Sequence, residues 1–141
     1  MMRAGVMALV LVASVYAAAD PAPSKEQLVA AEANAFAKAK PVFETYCARC
    51  HTKGGAKATA AKLKHFDMTS YPFAGHHAAE WGPKIRQQLG IGGGKAKMPK
   101  DKPGSVRGDD LALIEAWSRA WDAAQAAGAH APAPEHDHHH H

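Results

Sequence analysis

Between Lys25 and Lys40 the apolar residues fall at helical spacing. Leu28, Ala31, Ala35, Phe36 and Ala39 form a stripe on an alanine-rich background of good helix formers. Ser24 with Gln27 three residues on predicts a capping box at its start. Pro41 interrupts the run, and because proline suits the first position of a helix, a second helix is predicted from Pro41 to about Arg49, burying Phe43 and Tyr46. Thr52 to Ala61 is small, polar and glycine-containing, the pattern of a loop, and Leu63 to Phe73 has apolar residues without a sustained period. Pro72 and Gly75 mark turns. Trp81, Ile85 and Leu89 then share a helical face, with Pro83 in the first turn and Gly90 at the end. Ile91 to Gly108 carries three consecutive glycines (Gly92 to Gly94), Pro99, Pro103 and Gly104, and is expected to be irregular. Asp109 and Asp110 place negative charge where the dipole of a last helix favours it; Leu113, Trp117 and Trp121 share its face, and it ends near Gly128. With little strand patterning anywhere, the fold class is all-α.

The ends of the chain read differently. Met1-Met2-Arg3, an apolar stretch from Ala4 to Val15 and Ala17-Ala18-Ala19 before Asp20 have the layout of a secretory signal peptide. The apolar run is short of the roughly 20 residues that span a bilayer comfortably, so an uncleaved anchor is the lesser reading. No cysteine stands at the cleavage point to carry a lipid. Four regions follow: a signal peptide 1–19, an N-terminal extension with a helix 20–40, a main domain 41–128 and a His/Pro-rich tail 129–141. Cleavage after Ala19 leaves 122 residues, enough for one small domain. The tail's histidines at 136 and 138 to 141 are able to bind metal weakly, but a non-essential tail or part of a purification tag is the plainer reading.

The chemistry concentrates at Cys47-Ala48-Arg49-Cys50-His51, which holds both cysteines of the chain. Cys-x-x-Cys-His is the attachment signature of c-type haem: each thiol adds to a porphyrin vinyl group, and the adjacent imidazole reaches the iron. The three-residue separation puts both sulfurs on one side of a helical turn. A thioredoxin-like redox disulfide and a zinc site remain open alternatives, though the first wants alternating strands and helices and the second a fourth ligand. For the second axial position the best candidate is Met98, in Gly94-Lys95-Ala96-Lys97-Met98-Pro99 on the irregular segment. Its soft sulfur favours ferrous iron and raises the reduction potential relative to two imidazoles. Met68, His65, His76 and His77 are weaker candidates, and most methionines are core fillers. The pair His76-His77 also offers a second small site, with solvent-facing or hydrogen-bonding roles the commoner reading.

Charge changes the picture little. The chain has 17 Lys+Arg and 13 Asp+Glu; loss of Arg3 with the signal leaves a formal +3, and two ionised haem propionates bring it to about +1. The pI of 9.1 therefore overstates how basic the working molecule is. Lys95, Lys97, Lys100 and Lys102 cluster around Met98, with Lys84 as a possible fifth, and such a rim steers a carrier to an acidic redox partner. A solvated basic loop with no preferred partner is an equally good reading. Without a larger basic face, nucleic acid is a poor partner.

Cys47 to His51 followed by Met98-Pro99 resembles a class I cytochrome c, the small bacterial monohaem type, over roughly Pro41 to Ala123. The resemblance implies a cytochrome c fold, with helices around one covalently attached haem c and 41–128 as the cytochrome domain. It implies thioether bonds at Cys47 and Cys50, His51 as proximal ligand and Met98 as distal ligand. It also implies that the first and last helices cross at Phe43 and Trp117, with Trp121 extending the contact. The added helix at 24–40, the tail and Tyr71-Pro72-Phe73-Ala74-Gly75-His76-His77 depart from the family pattern. The expected function is single-electron transfer in the periplasm, with no catalytic side chain and no stable membrane insertion after signal cleavage. A haem enzyme or gas-binding sensor with an open distal site, or a haem subunit of a larger oxidoreductase, are the alternatives.

Overall fold

A computed structural model describes residues 20–130. The signal-peptide reading of residues 1–19 and the tail histidines beyond 130 lie outside these. Five α-helices follow in chain order: α1 (Lys25–Tyr46), α2 (Ala48–His51), α3 (Ala60–His65), α4 (Trp81–Leu89) and α5 (Gly108–Ala126), with a short 3₁₀ turn at Ala78–Glu80. The only β-pairing among the described residues is a single antiparallel bridge, Asp67 to Ala74. The all-α expectation holds at that level.

Helix α1 differs from its prediction. It is one helix through Pro41, not two. The missing proline N–H deprives only the carbonyl of Ala37, four residues back, and both residues are exposed, so that oxygen is open to solvent. On the other face Glu32, Ala39, Val42 and Phe43 are buried on both sides of the proline. A continuous buried stripe outweighs the roughly 3 kcal/mol that an interior proline costs. The Ser24–Gln27 capping box is formed as expected. Helix α3 was not foreseen: Thr59 caps it, its side chain accepting from the Lys62 N–H at 3.3 Å, and with only six residues it is too short to show a period.

Helix α1 packs along α5, and α4 packs on α5 as well. Phe43 and Trp117 meet edge to face, ring centroids 5.0 Å apart at 87°, and Trp121 continues the contact from Trp117 at 5.7 Å. Trp117 is wholly buried. Gly82 is what lets α4 sit so close to α5. A Cβ there would lie 2.7 Å from the Ser118 carbonyl oxygen and closer still to the Asp122 carboxylate. Arg86 seals the joint, donating to Asp122 Oδ2 at 2.6 Å and to Ser118 Oγ at 3.1 Å.

The N-terminal part of α1 is fastened by a buried polar chain. Trp117 Nε1 donates to the Tyr71 hydroxyl at 3.1 Å, that hydroxyl donates to Glu32 Oε1, and His130 Nε2 meets Glu32 Oε2 at 2.7 Å. Phe36 stacks on Tyr71 at 3.6 Å, and His130 stacks on Trp121 at 3.8 Å. The first residues after the last helix are thus packed against the core. Glu32→Ala leaves the Tyr71 hydroxyl and the His130 ring without their buried acceptor. It is expected to cost about 3 kcal/mol, read as a lowered urea midpoint. A change under about 0.5 kcal/mol would mean that water replaces the carboxylate freely.

Candidate functional site

The end of α1 and the one-turn helix α2 build the cysteine motif. The Cys47 N–H closes α1 on the Phe43 carbonyl at 2.8 Å; the same residue then starts α2, its carbonyl accepting from the N–H of Cys50 at 3.1 Å and of His51 at 3.0 Å. Cys47, Cys50 and His51 all line one large cavity of about 1370 Å³, and so does Met98. Pockets for drug-sized ligands run to roughly 1,000 Å³, so this one takes something larger. Phe43, Phe66, Trp81, Ile85, Leu89, Val106 and Ile114 supply apolar wall.

His51 is held by its ring. Nδ1 lies 3.1 Å from the Phe66 carbonyl oxygen, which can only accept, so Nδ1 carries the proton and Nε2 keeps a free lone pair. Burial lowers the His51 pKa from the ordinary imidazole value, in the direction that favours the neutral ring. A neutral imidazole whose far nitrogen is tied to a carbonyl is the usual preparation of a metal-ligating histidine. Met98 reaches the cavity because its loop is tied to the end of α4. The N–H groups of Lys97 and Met98 both donate to the Gln88 carbonyl, at 2.8 and 3.0 Å. Gly90 makes this return possible: it ends α4 at φ 74°, and a Cβ there would strike the Gly94 carbonyl at 2.6 Å.

The thiols are free. Cys47 keeps some accessible surface, facing the cavity, but its depth pushes the thiol up to about 12, with Cys50 adding to the shift. That is the reverse of the low-pKa thiolate of a redox disulfide pair, and the described residues contain no sheet for a thioredoxin-like fold. Cys47, Cys50 and His51 do not converge as a metal-ligand cluster; among the described residues only His65, His76 and His77 do so. The zinc reading of the motif therefore has no closed ligand set here.

No family model matches the chain, and no curated protein or solved structure matches it. The site is argued from its own residues.

The charged lining of the cavity is basic. Of the four lysines around Met98, Lys100 and Lys102 line it, joined by Lys84, while Lys95 and Lys97 do not. Arg49, Lys57, Lys62 and Arg107 also line it, unforeseen from the sequence, against two carboxylates, Asp101 and Asp110. Asp101 is matched: Lys57 Nζ lies 3.2 Å away and Arg49 3.8 Å, and the Lys57 hydrogen bond holds its carboxyl below the usual range. Asp110 accepts from the Tyr46 hydroxyl at 3.0 Å. Lys100, Lys102 and Arg107 form no ion pair among the described residues. His65 and His77 also reach the cavity, whereas His76 and Met68 do not line it. No helix among the described residues is long and apolar enough to cross a membrane.

Proposed function

We propose that this chain is an exported monohaem c-type cytochrome that carries single electrons between redox partners. What carries the reading is one juxtaposition. The motif Cys47-x-x-Cys50-His51 and the distant Met98 line the same apolar-walled cavity, with His51 anchored so that Nε2 stays free. The donor set fits haem c: two thiols for the thioether bonds, a neutral imidazole and a soft thioether for the iron. When bound, haem supplies one-electron exchange at its iron. The protein's own part would be to hold His51 and Met98 in place and to wall the group with apolar side chains. The His51–Phe66 bond fixes ring orientation, and the Gln88 carbonyl fixes the loop that carries Met98. The Phe43–Trp117 crossing is the contact expected of a class I cytochrome c and supports that fold. Lys84, Lys100 and Lys102 in the cavity lining favour an acidic partner. The signal-peptide pattern supports a periplasmic location, where haem is attached to such motifs.

The protein matured in a host that attaches haem is expected to show low-spin iron and to bind carbon monoxide poorly. Met98→Ala is expected to retain covalent haem, lose the sulfur–iron absorption band and fall in reduction potential. An unchanged spectrum in that variant would remove Met98 as a ligand. Ready carbon monoxide binding by the unaltered protein would favour a sensor or enzyme with an open distal position.

A further inference from the structure

The electron-carrier reading leaves three histidines without a task. His65 is the last residue of α3, and His76 and His77 lead into the 3₁₀ turn at Ala78–Glu80. The chain is brought back on itself to join them. The Asp67–Ala74 bridge pairs the two arms, its hydrogen bonds 2.8 and 2.9 Å long, and the His76 N–H donates to the Lys64 carbonyl at 3.1 Å. Between them Gly75 sits at φ +125°, so close to α3 that a Cβ would lie 2.5 Å from the carbonyl oxygen of His65. The result is three imidazoles whose candidate ligand nitrogens all lie within 4.8 Å of one another.

The rings are oriented as well as gathered. His76 Nδ1 is 3.1 Å from the Lys64 carbonyl oxygen, which must accept, so the lone pair of His76 is on Nε2. That Nε2 lies 3.1 Å from His65 Nδ1, inside the cluster. His77 Nδ1 stands 3.7 Å from Glu80 Oε2, near enough for the carboxylate to attract the ring's N–H but not a formed hydrogen bond. The backbone carbonyl behind His76 is the kind of outer partner that orients a ligating histidine.

We propose that His65, His76 and His77 bind one late first-row divalent ion, zinc or copper, with water in the remaining position. Imidazole nitrogens suit these ions, and magnesium or calcium would take oxygen ligands instead. Zinc–nitrogen bonds of about 2.0–2.1 Å in a tetrahedron place ligand nitrogens roughly 3.3 Å apart. The His65–His76 separation of 3.1 Å is close to this, and the third ring, within 4.8 Å, must move inward to complete the set. In the ion-free structure His65 Nδ1 donates to His76 Nε2, so binding requires the His65 proton to move to Nε2, which frees Nδ1 for the ion. Because His65 and His77 also line the large cavity, the bound ion ties α3 to the 66–80 segment along one of its walls.

The test uses the full-length matured protein with His136 and His138 to His141 replaced by serine, which removes competing tail ligands. Equilibrium dialysis against Zn²⁺ alone, with zinc counted by atomic emission separately from any iron, is expected to give one tight equivalent. His65→Gln, His76→Gln and His77→Gln, at partly or fully exposed positions with little effect on folding, are each expected to weaken it roughly tenfold or more. Cu²⁺ alone is expected to give one electron paramagnetic resonance signal with nitrogen couplings that these variants lose. No tight equivalent, or equal affinity across the three variants and their parent, would overturn the proposal.

Discussion

Trp117→Ala is expected to destabilise the matured protein by about 4 kcal/mol, the range for removing a buried tryptophan. Trp117 is wholly enclosed, and its ring packs against Phe43, Phe73 and Trp121 at centroid distances of 5.0, 5.6 and 5.7 Å. Truncation empties the crossing of α1 and α5. It also removes the donor to the Tyr71 hydroxyl, the first link of the chain that runs through Glu32 to His130. Since a domain has some 5–15 kcal/mol in all, the variant keeps only part of its stability. Urea unfolding followed by far-ultraviolet circular dichroism measures it. Trp117→Phe retains most of the contact and is expected to lose markedly less. A loss below about 1 kcal/mol for the alanine variant would show that the α1–α5 crossing is not the structural centre.

The double variant Cys47→Ala/Cys50→Ala is expected to have a still larger effect, complete loss of covalently bound pigment after denaturing extraction. The consequence for the fold follows from the cavity. The cavity of about 1370 Å³ exposes the apolar side chains of Phe43, Phe66, Trp81, Ile85, Leu89 and Ile114 to water unless something fills it. Without a covalently held group its walls are expected to flood or close, so the variant should show reduced helical signal and a broadened thermal transition. A variant that remains coloured after acid–acetone extraction, or that folds as firmly as the parent, would deny these cysteines the attachment role.

Those expectations rest on features of unequal visibility in the sequence. The helix face Trp81–Ile85–Leu89, its glycine stop and the irregular segment carrying Met98 were legible because each is a local signal: a period, a left-handed cap, a run of breakers. The four candidate site residues were legible from spacing and residue type, and they line one cavity. Pro41 misled because its local cost is real, while the burial that outweighs it comes from α5, far along the chain. Glu32 left a trace that could have been read: it lies at i+4 from Leu28 and i−4 from Phe36, a carboxylate in the middle of an apolar stripe. Its partners Tyr71 and His130 could not be read, being 39 and 98 residues away. The joining of His65 to His76 and His77 was hidden for the same reason; Gly75 is a local cue only once the neighbouring carbonyl is known. Arg107 in the cavity lining had no signal beyond its charge.

The central claim is that Cys47 and Cys50 hold one haem over His51. Intact mass spectrometry of protein matured in a haem-attaching host, denatured beforehand, tests it most directly. The account predicts the processed polypeptide plus one haem, with both thiols unreactive to alkylation. A mass equal to the bare polypeptide, with two alkylatable cysteines, would contradict it.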